Sequence, residues 1–228
     1  MKNNLVKLLL ASSLVVTGLA AEDMTTQSTD TETQAPVMGK YAGDNGLYVG
    51  GTIGGGSGSW SYETDTTSYS FDDDDGLSTS DMKFYVGKRS VYAFIQMGTI
   101  TPDHTTSPAI NYTAVGIGYL GRLDSMRVNF EAGSLTPEFN AEIAFDTATS
   151  ASEDFGGLLL SADLGVAVSL VALPVIEFTA NIGYDLHVLN VSDTASGYYG
   201  YIDDHNGNGT GSFNFSALNF TVGAKYNF

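Results

Sequence analysis

The chain has no cysteine, which excludes a disulfide framework and any thiolate metal site. Basic residues are scarce, with 9 Lys and Arg against 26 Asp and Glu and a formal net charge of −17. That balance argues against nucleic acid as a partner, because phosphate binding needs clustered cations. Helix formers do not dominate, and a clean transmembrane helix is missing. The stretch 157–178 comes nearest, but Asp163 lies near its middle and Pro174 before its end, each costly in an isolated membrane helix.

What is present points to export and to strands. Lys2 and Lys7 flank a short basic region, an apolar core follows over 8–20, and small residues end at Ala20. This is the layout of a cleaved signal peptide over 1–20, with too short a core to span a bilayer. Residues 21–45 are rich in Thr, Gln, Ser and Asp and read as a flexible leader. From 46 to 228 the sequence is rich in Gly, Tyr and β-branched residues and repeatedly shows apolar residues at every second position, the period of a strand. The last stretch is the clearest: Leu218, Phe220, Val222, Ala224, Tyr226 and Phe228 alternate with polar or small residues.

Strands are expected over 47–56, 82–88, 91–101, 109–120, 126–146, 157–170, 175–189 and 212–228. The fifth needs comment. Apolar residues fall on even numbers from Met126 to Ala132 and on odd numbers from Phe139 to Phe145, so the phase slips near Pro137. A bulge at Pro137 within one long strand, or a separate short hairpin, would each produce the slip. The bulge is preferred because it keeps the strand count even and both ends on one side of a membrane.

The face opposite the apolar one carries Lys83, Arg127, Glu131, Asp163, Glu177, Asp185 and Lys225. A soluble sandwich would expose these residues, whereas a membrane barrel would turn them into a lumen where opposite charges pair. Long polar stretches (57–80, 102–108, 147–156, 190–211) alternate with short turns (88–90, 121–125, 171–175), as expected for a barrel with an exterior and a periplasmic end. Open edges are not tolerated in lipid, so the sheet should close. The fold class read here is all-β, a closed antiparallel transmembrane β-barrel of eight strands in up-and-down order.

With the signal peptide, the opening GLYVGGTIGG and the ending FTVGAKYNF, residues 46–228 resemble the small outer-membrane β-barrel proteins of Gram-negative bacteria, of the OmpA-barrel and OmpX-like kind. The resemblance implies location in the cell outer membrane, contact with outer-membrane lipids and lipopolysaccharide, and a monomer. It also implies that a C-terminal aromatic with alternating apolar residues is read by the barrel-assembly machinery, here Phe220, Val222, Ala224, Tyr226 and Phe228. The peptidoglycan-binding domain that follows some such barrels is not expected.

An eight-stranded barrel is just wide enough to be filled by side chains, so the mixed charges should plug the lumen; a narrow porin-like channel is the alternative. Hydrolytic or lipid-modifying chemistry would draw on His187 with Asp185 and Ser192, or His104 with Asp103, but nothing around them forms a nucleophile motif. Asp204 to Gly209 begins like a calcium loop, yet Phe215 stands where its terminal acidic ligand would be. Asp72 to Asp75 reads as a solvated charge run. No catalytic, cofactor or metal site is expected, and the role read is that of a scaffold with acidic surface loops.

Overall fold

In the computed structural model, residues 46–64, 68–70, 76–103, 109–150, 153–191 and 211–228 are described. The stretches read as signal peptide and leader (1–45), Asp72 to Asp75, His104, Ser192 and the segment 204–209 lie outside them. No helix among the described residues is long and apolar enough to cross a membrane.

Ten strands form one antiparallel sheet: β1 (Leu47–Thr64), β2 (Ser68–Ser70), β3 (Gly76–Lys88), β4 (Val91–Pro102), β5 (Ile110–Arg122), β6 (Val128–Phe130), β7 (Gly133–Ser150), β8 (Glu153–Leu170), β9 (Leu173–Val191) and β10 (Gly211–Asn227). Eight of them run in chain order around a ring, and β10 pairs with β1 over Tyr48↔Asn227 to Thr64↔Gly211, which closes it. The fold is a closed, eight-stranded, up-and-down barrel. The short β2 and β6 lie off the ring, paired with β1 and β7. Closure removes the edges that an open sheet would leave unpaired.

Short turns gather at one end of the barrel. Arg89 and Ser90 link Lys88 to its partner Val91, and Arg89 adopts φ 58°, the left-handed conformation that two-residue hairpin turns require. Its amide donates to Gly46 O at 2.7 Å.

The phase slip near Pro137 comes from a hairpin, not from the expected bulge in a single strand over 126–146. β7 runs unbroken through Pro137 against β8. The interruption sits on the neighbouring strand. β5 ends opposite Glu138 and β6 resumes opposite Leu135, so residues 123–127 face only Thr136 and Pro137. They coil into a 3-10 turn, Asp124–Met126, and Leu123 N donates to Pro137 O at 3.0 Å. Glu131 and Ala132 then turn the chain. Pro137 offers no N–H to the ladder, which is why the extra residues collect opposite it. Because β6 runs in line with β5, the count around the ring stays even.

Several strands also outrun their expected limits. β1 and β3 extend to Thr64 and back to Gly76. The expected loop over 147–156 is mostly strand, since β7 reaches Ser150 and β8 starts at Glu153.

Candidate functional site

The polarity of the barrel wall reverses along its axis. Towards the short-turn end, outward residues are apolar on every strand: Val49 and Ile53 on β1, Phe84 and Val86 on β3, Ile95 on β4, Ile117 on β5, Ile143 on β7, Leu164 on β8, Ile182 on β9, and Phe220 and Val222 on β10 all stand exposed. The band stops at Ile53, Met82, Met97, Val115, Phe145, Leu158, Val188 and Leu218. Ile53 pairs with Met82 and Met82 with Met97. Val115 pairs with Phe145, Phe145 with Leu158, and Leu158 with Val188. These residues form a rim. Beyond it the outward residues are Ser57 and Ser59, Ser78 and Ser80, Thr99 and Thr101, Asn111 and Thr113, Thr147 and Thr149, Asp154, Asn190, then Ser212, Asn214 and Ser216. They bond to one another, as in Thr99 Oγ1 to Asn111 Oδ1 at 3.0 Å and Ser59 Oγ against Ser216 Oγ at 3.3 Å.

The inner wall reverses in the opposite sense. Behind the polar collar the lumen is filled by Trp60, Leu77, Ile100, Ile110, Phe155, Leu189, Phe213 and Phe215, one buried cluster. Trp60 stacks on Phe215 at 6.3 Å between ring centroids. Behind the apolar band, the lumen is charged. Four inward tyrosines shape this part, each lying over the glycine directly opposite: Tyr48 over Gly87, Tyr85 over Gly50, Tyr92 over Gly118 and Tyr112 over Gly98. A Cβ on Gly118 would sit 2.2 Å from the Tyr92 ring, so the missing side chain is what lets the ring lie flat against the sheet.

The charged groups fall into sets. Nearest the short turns, Glu177 accepts from Arg122 Nη1 through both carboxylate oxygens at 2.9 Å and from Ser169 Oγ at 3.0 Å. Lys225 Nζ lies 2.9 Å from Glu177 and 3.2 Å from Glu138, and Arg122 Nη1 3.3 Å from Glu138. Two acids and two cations thus balance. Deeper, Glu142 accepts from Lys83 Nζ and from Tyr92 Oη, each at 2.5 Å. Lys83 also lies over the Phe94 ring at 5.3 Å, the face that attracts cations. His187 Nδ1 is 2.6 Å from Asp146 Oδ2, and the Tyr112 ring meets the imidazole edge-on at 4.5 Å. Asp185 accepts from Asn219 Nδ2, whose Oδ1 accepts from Thr79 Oγ1. Between these sets lies a small interior cleft of about 30 Å³, lined by Thr52, Lys83, Glu142, Asp163, Asn181 and Lys225 among others.

No family model matches the chain, and no curated protein matches it. The solved structures similar to it include the following two. One is Neisserial surface protein A (NspA), 10% identical, TM-score 0.42, covering 80% of this chain and 97% of that one. The other is the outer membrane protein OprG from Pseudomonas aeruginosa, 10% identical, TM-score 0.45, covering 81% and 96%. It is the unbroken ring of strand pairings in this chain, not that likeness, that defines its barrel.

Of the charged residues expected in the lumen, Lys83, Asp163, Glu177, Asp185 and Lys225 are buried there. Arg127 and Glu131 are not. They belong to the 3-10 turn and the hairpin beyond β5, where Arg127 Nη2 bonds Asp124 Oδ1 at 2.6 Å and Glu131 is exposed. Both alternate with Met126 to Ala132, and reading that stretch as the first half of a strand over 126–146 puts them in the lumen. Glu138, Glu142 and Asp146 are buried lumen residues that the sequence reading leaves out, although they alternate with the outward Phe139, Ile143 and Phe145. His187 takes Asp146 as its partner rather than its sequence neighbour Asp185, and Asp103 lies exposed at the end of β4. Phe220, Val222, Ala224, Tyr226 and Phe228 all face outward.

Proposed function

We propose that this chain is an outer-membrane barrel that acts as an anchored scaffold: the apolar band sits in lipid, and the collar, with the acidic loops above it, stands outside. The double reversal of polarity supports this reading. A soluble barrel has no reason to expose Phe84, Ile95, Ile117, Leu164 and Ile182 in one belt while burying Lys83, Glu142 and Lys225 behind them. In lipid the same arrangement is favourable, and beyond lipid the wall reverts to a polar surface over an apolar core. From the short turns to the rim the strands carry between 7 residues on β1 (47–53) and 16 on β9 (173–188), a range that brackets the about 9–11 a tilted strand needs to cross hydrocarbon. Export through the signal peptide, recognition of the Phe220–Phe228 alternation by the assembly machinery, and contact with lipopolysaccharide belong to the same proposal, as does a monomeric state. The interior cleft invites a second reading as a narrow channel, but the Trp60–Phe215 cluster closes the lumen at the collar end. Gel mobility of the protein refolded in vesicles tests the barrel. Unheated protein should migrate differently from boiled protein, and identical mobility would contradict the assignment.

A further inference from the structure

The apolar band differs in height around the barrel. From the short turns to the rim it spans 7 residues each on β1 (47–53), β3 (82–88) and β4 (91–97), 13 each on β7 (133–145) and β8 (158–170), and 16 on β9 (173–188). The first three strands are neighbours in the ring, the last three are neighbours on its opposite side, and β5 and β10 separate the two groups. At the rise and tilt of barrel strands, the shorter stretch covers about 15 Å of the barrel axis and the 13-residue stretch about 30 Å. A band matched to the outer membrane is about 25 Å tall, so one face falls short of it and the other exceeds it.

The outward residues carry the same difference. On β3 they are Val86, Phe84 and Met82 before Ser80 begins the collar. On β8 every second residue from Leu158 to Leu170 is apolar, and on β9 every second residue from Pro174 to Val188 is apolar or aromatic. The turns at the foot of the two faces differ in kind. Lys88 and Arg89, both exposed, close the foot of β3 and β4, and long cationic side chains at such a place reach lipid headgroups. The β8–β9 turn instead runs from Leu170 to Ile176 without a polar side chain, and Val171 and Leu173 stand 48% and 40% exposed in it. Near it, Val128 and Phe130 of β6 are also exposed, opposite Leu135 and Gly133 of β7. A turn that ended in water would carry polar residues. Lipid is the occupant that fits, because on β8 no polar outward residue lies between Leu158 in the band and Val171 at the turn.

We propose that this chain holds a bilayer of graded thickness around itself, thin along β1, β3 and β4 and thick along β7, β8 and β9, with the β8–β9 turn and the β6 hairpin immersed in lipid. The inference rests on the reading that the barrel stands in a membrane. A span shorter than the hydrocarbon is met by thinning of the bilayer and a longer one by thickening. Tilting a closed barrel cannot equalise its two faces, so the lipid adjusts to both at once.

The test uses the full chain refolded into phosphatidylcholine vesicles, with a nitroxide on each of the single variants Val128→Cys, Val171→Cys and Ser90→Cys. Labels at Val128 and Val171 should collide with oxygen in preference to a water-soluble nickel chelate, and the label at Ser90, on the β3–β4 turn, should show the reverse. Nickel access at Val171 equal to that at Ser90 would overturn the proposal and draw a level interface across the foot of the barrel. Loss of access to both reagents as the protein-to-lipid ratio rises would also overturn it, by assigning the long face to a second copy. A second measurement uses the paired collar residues Ser80 and Thr99. Ser80→Leu with Thr99→Leu raises the short face by one outward position on each strand, and should shift the best refolding yield towards longer acyl chains in a series of about 12 to 18 carbons; an unchanged optimum would count against graded thickness. Oxygen preference retained at Ile95 and Leu164 in those events would leave the membrane reading intact, whereas nickel preference there would count against the membrane reading itself.

Discussion

Glu142 shows how much one side chain can hold in a filled lumen. Its carboxylate binds Lys83 and Tyr92 together, and those two residues come from adjacent strands. Glu142→Leu should strand the Lys83 ammonium in the interior, and removing one partner of a buried pair costs about 3–5 kcal/mol. Urea unfolding in detergent should show that loss. Glu131→Gln, at the exposed hairpin turn, should change stability by no more than about 0.5 kcal/mol. Were both acids lumen residues, as one long strand bulged at Pro137 would have it, the two variants would behave alike. Gly118 makes a steric version of the same point: Gly118→Val would push the Tyr92 ring off its seat and take the Glu142 hydrogen bond with it, so unfolding of this variant should resemble that of Tyr92→Phe or worse.

At the scale of the strand, alternation reveals which residues share a face and is silent on what that face meets. β10 was legible throughout, because Phe220 to Phe228 alternate with Asn219, Lys225 and Asn227 without interruption. The upper parts of β1 and β3 were not. There the outward residues are Ser57, Ser59, Ser78 and Ser80, and the inward ones include glycine beside Trp60 and Leu77, so the stretch has a loop's composition although it is hydrogen-bonded into the barrel on both sides. The break at residues 123–127 was hidden differently: the slip in phase was visible, but which strand carried the extra residues depends on pairings across the sheet. The reversal of polarity gives each strand a testable boundary. On β8, Leu164 is 67% exposed within the apolar band, and Leu164→Arg should cost about 2–4 kcal/mol in a bilayer. Ser78→Arg, in the collar, should cost about 0–1 kcal/mol. Equal costs, read from unfolding in phospholipid vesicles, would place both residues in one environment. At the chain end, the Phe228 amide donates to Leu47 O at 2.9 Å and its ring meets Tyr226 at 4.9 Å. Deleting Phe228 should reduce outer-membrane yield more than it reduces export, as fractionation of the envelope would show.

The whole molecule reads as two barrels stacked on one set of strands. One has its polar groups inside and the other has them outside, and a rim from Ile53 to Leu218 separates them. The charged half needs ion pairs in its lumen, and on the proposed outer-membrane reading the apolar-filled half lets the same barrel stand beyond lipid without losing its core. A closed upper half also predicts that planar-bilayer recordings of the refolded protein show no steady conductance; steady open levels would require the Trp60–Phe215 cluster to part. The reversal itself can be measured directly, because a chain without cysteine accepts single nitroxide labels at chosen sites. Labels at Phe84, Ile95, Ile117 and Leu164, and at Ser78, Thr101 and Asn111, would be compared in vesicles for collision with oxygen, which partitions into lipid, and with a water-soluble nickel chelate. The first group should favour oxygen and the second the nickel chelate, with the change falling at the rim on every strand. Nickel access at Ile95 and Ile117 equal to that at Thr101 and Asn111 would contradict a lipid-facing band.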